Sequence, residues 1–139
     1  MSAVLPSIKD GARRGSEDTK LASASRVVLI DPRPDRRAVM NFLVGRSPAL
    51  TVVGLAGSLE EAERQIRDEH ADVAVVEIQM PVPEGLATIS ALREAFPDLR
   101  IIVCSFHLDA ATRDEAQQRG ADGYLIKPIS IRDLSALVV

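Results

Sequence analysis

Short apolar runs alternate along this chain with longer segments in which apolar residues recur every three or four positions. The runs are rich in β-branched residues, which predicts strands, and the longer segments have the spacing of helices. The predicted strands cover residues 26–31, about 51–56, 73–77, 100–105 and 123–127. Five strand–helix units in series predict an α/β fold, in which right-handed crossovers bury a parallel sheet between two layers of helices.

Capping residues set the limits of several predicted helices. Ser58 with Glu61 three positions later forms a capping box for a helix that runs to about residue 69. Asp109 is expected to cap a helix that closes at Gly120, and Ser130 is expected to begin the last one. Another helix ends near residue 96, and the first covers about 35–46. The apolar side of that first helix is predicted to consist of Val39, Met40, Phe42 and Leu43.

Four of the apolar runs end on polar residues. They are Asp31, Glu77, Ser105 and Lys127. Ligands of parallel sheets bind beyond the carboxyl ends of the strands, so these side chains are expected to converge there. Two acids, a hydroxyl and an ammonium group together predict a pocket for anions and a metal ion, with Glu77 at its centre.

Composition limits the protein to one domain with an aliphatic core. The 139 residues are 46% hydrophobic but only 3% aromatic, and the net charge of −3 gives no basic footprint for direct nucleic-acid binding. Residues 1–25 are predicted to be a flexible tail and residues 26–139 the folded domain, which holds twelve Arg but one Lys. No apolar run is long enough to cross a membrane, and the single Cys104 fits a reducing cytoplasm.

Several motifs, taken in order, resemble the receiver domain of bacterial two-component response regulators. The resemblance covers about residues 26–138 and implies a flavodoxin-like (βα)5 fold with strand order 2-1-3-4-5. The matching motifs are Leu29-Ile30-Asp31, Ala71-Asp72-Val73-Ala74-Val75-Val76-Glu77, Met80-Pro81 with Gly85, Ser105, and Gly120-Ala121-Asp122-Gly123-Tyr124-Leu125-Ile126-Lys127-Pro128.

The resemblance implies a role for each matching site residue. In the family, an aspartate accepts a phosphoryl group from a histidine kinase, and a pair of acids, of which Asp31 is one here, holds magnesium with it. A lysine, here Lys127, neutralises the phosphoryl oxygens, and a hydroxyl, here Ser105, moves to bind them. An aromatic on the fifth strand, here Tyr124, then turns inward and changes the face made by the fourth helix, the fifth strand and the last helix.

Two positions depart from the family pattern. Glu77 stands where the acceptor aspartate is expected, and Pro32 replaces the second acid of the pair. One added methylene moves the carboxylate by about 1.5 Å, and a displacement of about 1 Å can cost phosphoryl transfer a hundredfold. Asp31, Glu77 and the Gln79 carbonyl remain as weak ligands for magnesium, so no cofactor is expected.

These features predict an atypical, phosphorylation-independent receiver that is not an enzyme. Its partner is expected to be another protein or a second copy, bound through a face that includes Arg113, Gln117 and Tyr124. Glu77 either imitates the phosphorylated aspartate and holds an active-like state through a charge-assisted contact to Lys127, or forms a simple salt bridge in an inert scaffold. One alternative is a phosphorylatable receiver that uses magnesium. Another is the N-terminal receiver of a longer regulator with a DNA-binding, RNA-binding or ATPase output, which the short last helix favours.

Overall fold

The computed structural model describes residues 24–78, 83–106 and 109–138, which form five strands and five helices. The strands are β1 (Ser25–Ile30), β2 (Leu50–Ala56), β3 (Val73–Glu77), β4 (Arg100–Ser105) and β5 (Gly123–Ile126). The helices are α1 (Pro34–Val44), α2 (Leu59–Glu69), α3 (Pro83–Ala95), α4 (Ala110–Arg119) and α5 (Ile131–Val138). Residues 1–23 of the predicted tail and Gln79 lie outside the described residues.

The five strands form one parallel sheet in the order β2-β1-β3-β4-β5, which confirms the flavodoxin-like prediction. Successive side chains of a strand point to opposite faces of a sheet. Val28 and Ile30 therefore join a core cluster with residues of α2, α3 and α4. Val27 and Leu29 join a second cluster with residues of α1 and α5. The sheet is thus covered on both sides, as its continuous apolar runs require.

The predicted helix caps are present, but the predicted apolar side of α1 is partly wrong. The Asp109 carboxylate accepts the Thr112 N–H at 2.7 Å, and Gly120 ends α4 with a left-handed φ of 118°. In α1 the buried residues are Met40 and Val44, one turn apart, whereas Val39 and Phe42 are 58% and 65% exposed. Because α1 meets the sheet along a narrow stripe, positions beside that stripe face solvent. None of the helices in the described ranges is long and apolar enough to cross a membrane.

Carboxylates accept hydrogen bonds from main-chain N–H groups at the edge of the sheet where the strands begin. Asp72 accepts the backbone N–H of Arg26 at 2.8 Å, and Asp122 accepts that of Ile101 at 2.9 Å. The guanidinium group of Arg93, on α3, donates to Asp122 at 2.7 Å. Arg93 also donates to carbonyl oxygens of the turns before β4 and β5. The opposite edge, at which the strands end, holds the polar side chains singled out from the sequence.

Candidate functional site

Strand ends bring the predicted site residues to one edge of the sheet. Asp31 follows β1, Glu77 ends β3 and Ser105 ends β4. These three residues are buried, with exposures of 3%, 8% and 5%, respectively. Lys127 follows β5, and its backbone N–H donates to the Ser105 carbonyl at 2.7 Å. This bond continues the ladder between β4 and β5, so it fixes where the lysine side chain starts. Asp31 and Glu77 line one small pocket beneath α1.

The Glu77 carboxylate contacts the ammonium group of Lys127 in a buried ion pair, with both side chains at most 8% exposed. Burial raises the pKa of Glu77, and the hydrogen bond and charge of Lys127 act in the opposite direction. A second contact occupies the lysine, because its Nζ lies 5.2 Å from the centroid of the Phe106 ring. The ammonium group therefore has an anionic partner and an aromatic partner within this chain.

Arg36, which was not among the residues predicted for the site, forms a second ion pair, with Asp31. Its Nε donates to Asp31 Oδ2 at 2.9 Å, and its second guanidinium nitrogen donates to Oδ1 at 2.8 Å. The Arg33 backbone N–H also donates to Oδ1, at 2.9 Å. The hydrogen bonds with Asp31 raise the pKa of Arg36, although burial acts against this. Its position five residues after Asp31, in the first turn of a helix that starts beside the pocket, is the signal that could have found it.

These residues do not fit the magnesium ion that the family resemblance implies. Three donors already approach the Asp31 carboxylate, and one of its neighbours is a guanidinium cation that repels a metal ion. The free volume of the pocket is about 10 Å³, which is the space needed by one water molecule rather than by a hydrated magnesium ion. Among the described residues, no group of three or more His, Cys, Asp or Glu could hold a metal. Gln79, the third candidate ligand, lies outside the described residues.

Tyr124, on β5, packs against the core cluster on the α4 side of the sheet. The guanidinium carbon of Arg113, on α4, lies 5.8 Å from the centroid of its ring. The phenol oxygen is buried and has no hydrogen-bond partner among the described residues. Burial is also the main reason that the pKa of Tyr124 is raised. The aromatic ring is thus directed toward the protein.

A doubly wound parallel sheet with an acid, a hydroxyl and a lysine at its carboxyl edge defines a flavodoxin-like receiver. The chain matches the response regulator receiver domain family over residues 27–139 and belongs to that family. It is therefore a receiver domain of the kind found in two-component signalling.

Known proteins resemble this chain over most of its length. It is 36% identical over 114 residues to the DNA-binding transcriptional activator DevR/DosR of Mycobacterium tuberculosis, covering 81% of this chain and 52% of that protein. It is 34% identical over 108 residues to the nitrate/nitrite response regulator NarL of Escherichia coli K12, covering 78% and 50%. The chain thus spans about half the length of these curated relatives. A two-component response regulator of the LuxR family from Aurantimonas sp. SI85-9A1 superposes with a TM-score of 0.72 at 29% identity, covering 82% of this chain and 81% of that one.

Proposed function

We propose that this chain is a phosphorylation-independent receiver, which signals by binding a protein rather than by accepting a phosphoryl group. The observation that carries the proposal is the buried contact between the Glu77 carboxylate and the Lys127 ammonium group. In the family, the corresponding lysine neutralises phosphoryl oxygens. Here the Glu77 carboxylate already supplies the negative charge to that lysine. Hydrogen bonds between charged groups are stronger than those between neutral groups.

The length of Glu77 supports the same proposal. Its additional methylene carries the carboxylate about 1.5 Å farther from the strand than an aspartate would. The carboxylate uses this reach to meet Lys127. A nucleophile that is displaced and already paired is poorly placed for in-line attack on a phosphorus atom, because this reaction depends mainly on positioning.

The direction of Tyr124 favours the active-like interpretation of Glu77 over the inert one. The ring packs against the core cluster, and the phenol oxygen is buried. In the family, an inward aromatic on the fifth strand accompanies the phosphorylated state. We therefore propose that the pair of Glu77 and Lys127 holds the chain in the state that relatives reach by phosphorylation.

The proposed binding surface is the α4–β5–α5 face. Arg113 and Gln117 are exposed on α4, and Ile126 on β5 is 47% exposed, which is high for a large apolar residue in a strand. Among the described strands, β5 lies at the edge of the sheet and pairs with β4. The proposed partner is a second copy or another protein, not a nucleic acid. The proposed location is the cytoplasm, in agreement with the buried free thiol of Cys104.

A longer regulator is a second candidate, and the coverage of the relatives favours it. This chain matches about half of DevR/DosR, which is named as a DNA-binding activator. If the natural protein contains more sequence after this domain, the α4–β5–α5 face is the surface that would control such an output. The length of the native reading frame tests this candidate directly.

Intact mass spectrometry after incubation with acetyl phosphate, with and without magnesium, tests the main proposal. We expect no phosphoryl adduct on the native protein under either condition. Glu77→Gln is the matched control, because it keeps the length of the side chain and removes the charge, and it should also remain unlabelled. A magnesium-dependent adduct that is present on the native protein and absent from Glu77→Gln would show that Glu77 is an acceptor and would overturn the proposal.

A further inference from the structure

Arg36 lies where the family resemblance leads one to expect a metal ion beside Asp31. We infer that Arg36 is a built-in counter-ion, which takes the place of a divalent cation at Asp31 and closes the pocket to magnesium. The inference concerns the same site as the proposed function and rests on it only in treating Asp31 as a residue that does not hold magnesium for phosphoryl transfer.

The geometry of the contact is that of a fixed ion pair. Two guanidinium nitrogens of Arg36 reach the two carboxylate oxygens of Asp31, at 2.8 and 2.9 Å. The side chains are 22% and 5% exposed, respectively, so the pair is largely removed from water. The planar fork of a guanidinium group matches a carboxylate in this bidentate way, whereas a lysine would act only as a point charge.

The neighbouring arginines do not share this role. Arg33 pairs with Asp35 at the surface, and both side chains are more than half exposed. Arg37 donates to the backbone carbonyl of Asp31 at 2.7 Å rather than to its carboxylate. Of the three arginines near the start of α1, only Arg36 therefore neutralises the Asp31 side chain.

Charge matching in the pocket explains why a metal ion is not needed. Asp31 is paired with Arg36, and Glu77 is paired with Lys127. The charge of Arg36 also favours the ionised form of the Glu77 carboxylate, and so opposes the effect of the nearby Asp31 charge on that group. A dication entering between the two carboxylates would have to displace the guanidinium group, and its attraction to two acids would be offset by repulsion from two cations.

Manganese and magnesium titrations of the folded protein test the inference, with Arg36→Met as the variant and Arg33→Met as its matched control. Both substitutions remove one positive charge from the same segment, but only the first frees the Asp31 carboxylate. Mn²⁺ is paramagnetic, so it broadens the NMR signals of nearby amides and reports where it binds. We expect Arg36→Met to bind Mn²⁺ and Mg²⁺ near Asp31 at least about tenfold more tightly than either the native protein or Arg33→Met.

Several results would overturn the inference. Equal binding by the native protein and Arg36→Met would show that Arg36 does not exclude the ion, and so would an absence of binding by both.

If Arg36→Met does not fold alone, recovery of its fold on addition of Mn²⁺ would support the inference. If it remains unfolded with the ion, Arg36→Gln is titrated in the same way and is held to the same expected increase. No phosphodonor is used, so failure here is separate from failure of the proposed function.

Discussion

Replacing Lys127 by methionine tests how the buried pair contributes to stability. Methionine preserves most of the length of the side chain, but it removes the charge that pairs with Glu77 and lies over the Phe106 ring. Glu77 then remains at 8% exposure without its cationic partner. Removing one member of a buried ion pair typically costs about 3–5 kcal/mol, because an uncompensated charge is left in the interior.

Protonation of Glu77 sets an upper limit on this cost. Lys127 provides the largest effects that oppose burial, so its loss raises the pKa of Glu77 further above the ordinary value of 4.5. Binding a proton at pH 7 then costs at most about 3.4 kcal/mol, which corresponds to about 2.5 pH units at 1.36 kcal/mol each. An acid whose pKa is raised by folding destabilises the fold increasingly as pH rises from the unfolded-state pKa toward the folded-state pKa. The upper limit on the loss of unfolding free energy caused by Lys127→Met should therefore fall to about 0.7 kcal/mol at pH 5.

Urea unfolding of the native protein and Lys127→Met at pH 5, 6, 7 and 8 measures this difference. The double variant Glu77→Gln with Lys127→Met is the control, because it removes both charges and should recover stability while losing the pH dependence. A loss for Lys127→Met that stays constant between pH 5 and pH 8, or stays below about 1 kcal/mol at pH 8, would show that Lys127 does not compensate a buried Glu77 charge.

Three further predictions concern the core, the backbone and the binding surface. Leu134 is 0% exposed, so Leu134→Ala should lower the free energy of unfolding by about 2–5 kcal/mol. Phe42 is 65% exposed, so Phe42→Ala should change it by at most about 0.5 kcal/mol. Equal effects of the two substitutions in urea unfolding would contradict the burial pattern. Gly120→Ala should cost about 1–3 kcal/mol, because its φ is 118° and a Cβ would lie 2.8 Å from Arg93 Cγ. His70→Gly should stabilise by about 0.5–1 kcal/mol, because His70 has a left-handed φ of 53°; thermal melting that shows the same sign for both would be inconsistent with this account. Glu77→Ala should weaken self-association or partner binding in sedimentation equilibrium, and unchanged association would mean that Glu77 is only part of the scaffold.

The convergence of the polar strand ends was predictable from the sequence because parallel strands share one carboxyl edge. Once the apolar runs are identified as strands, the positions of Asp31, Glu77 and Ser105 follow from the residue at which each run ends. The contact between Glu77 and Lys127 needed one more inference, namely that β3 and β5 flank β4, and the family resemblance supplied that strand order.

The pairing of Asp31 with Arg36 could not be predicted in the same way. Arginines occur at residues 33, 36 and 37, and the sequence does not show which of them the start of α1 directs toward Asp31. The rotation of α1 is set by its packing on the sheet, which also decided that Val44 is buried and Phe42 is exposed. Apolar residues occupy five of the six positions from 39 to 44. They fit more than one such rotation, so the helical period alone was ambiguous.

The hydrogen bonds at the edge where the strands begin affect which part of the sheet opens first. Arg93, Asp122 and Asp72 hold that edge through charged groups bonded to main-chain atoms, whereas at the far edge the side-chain pairs of Glu77 and Asp31 bond to other side chains and supplement the backbone ladder. Breaking the ion pairs of the site removes support from the strand ends but leaves the hydrogen bonds at the strand starts intact. Slow amide exchange is therefore expected to persist at Arg26 and Ile101 even in variants whose exchange at the strand ends is faster.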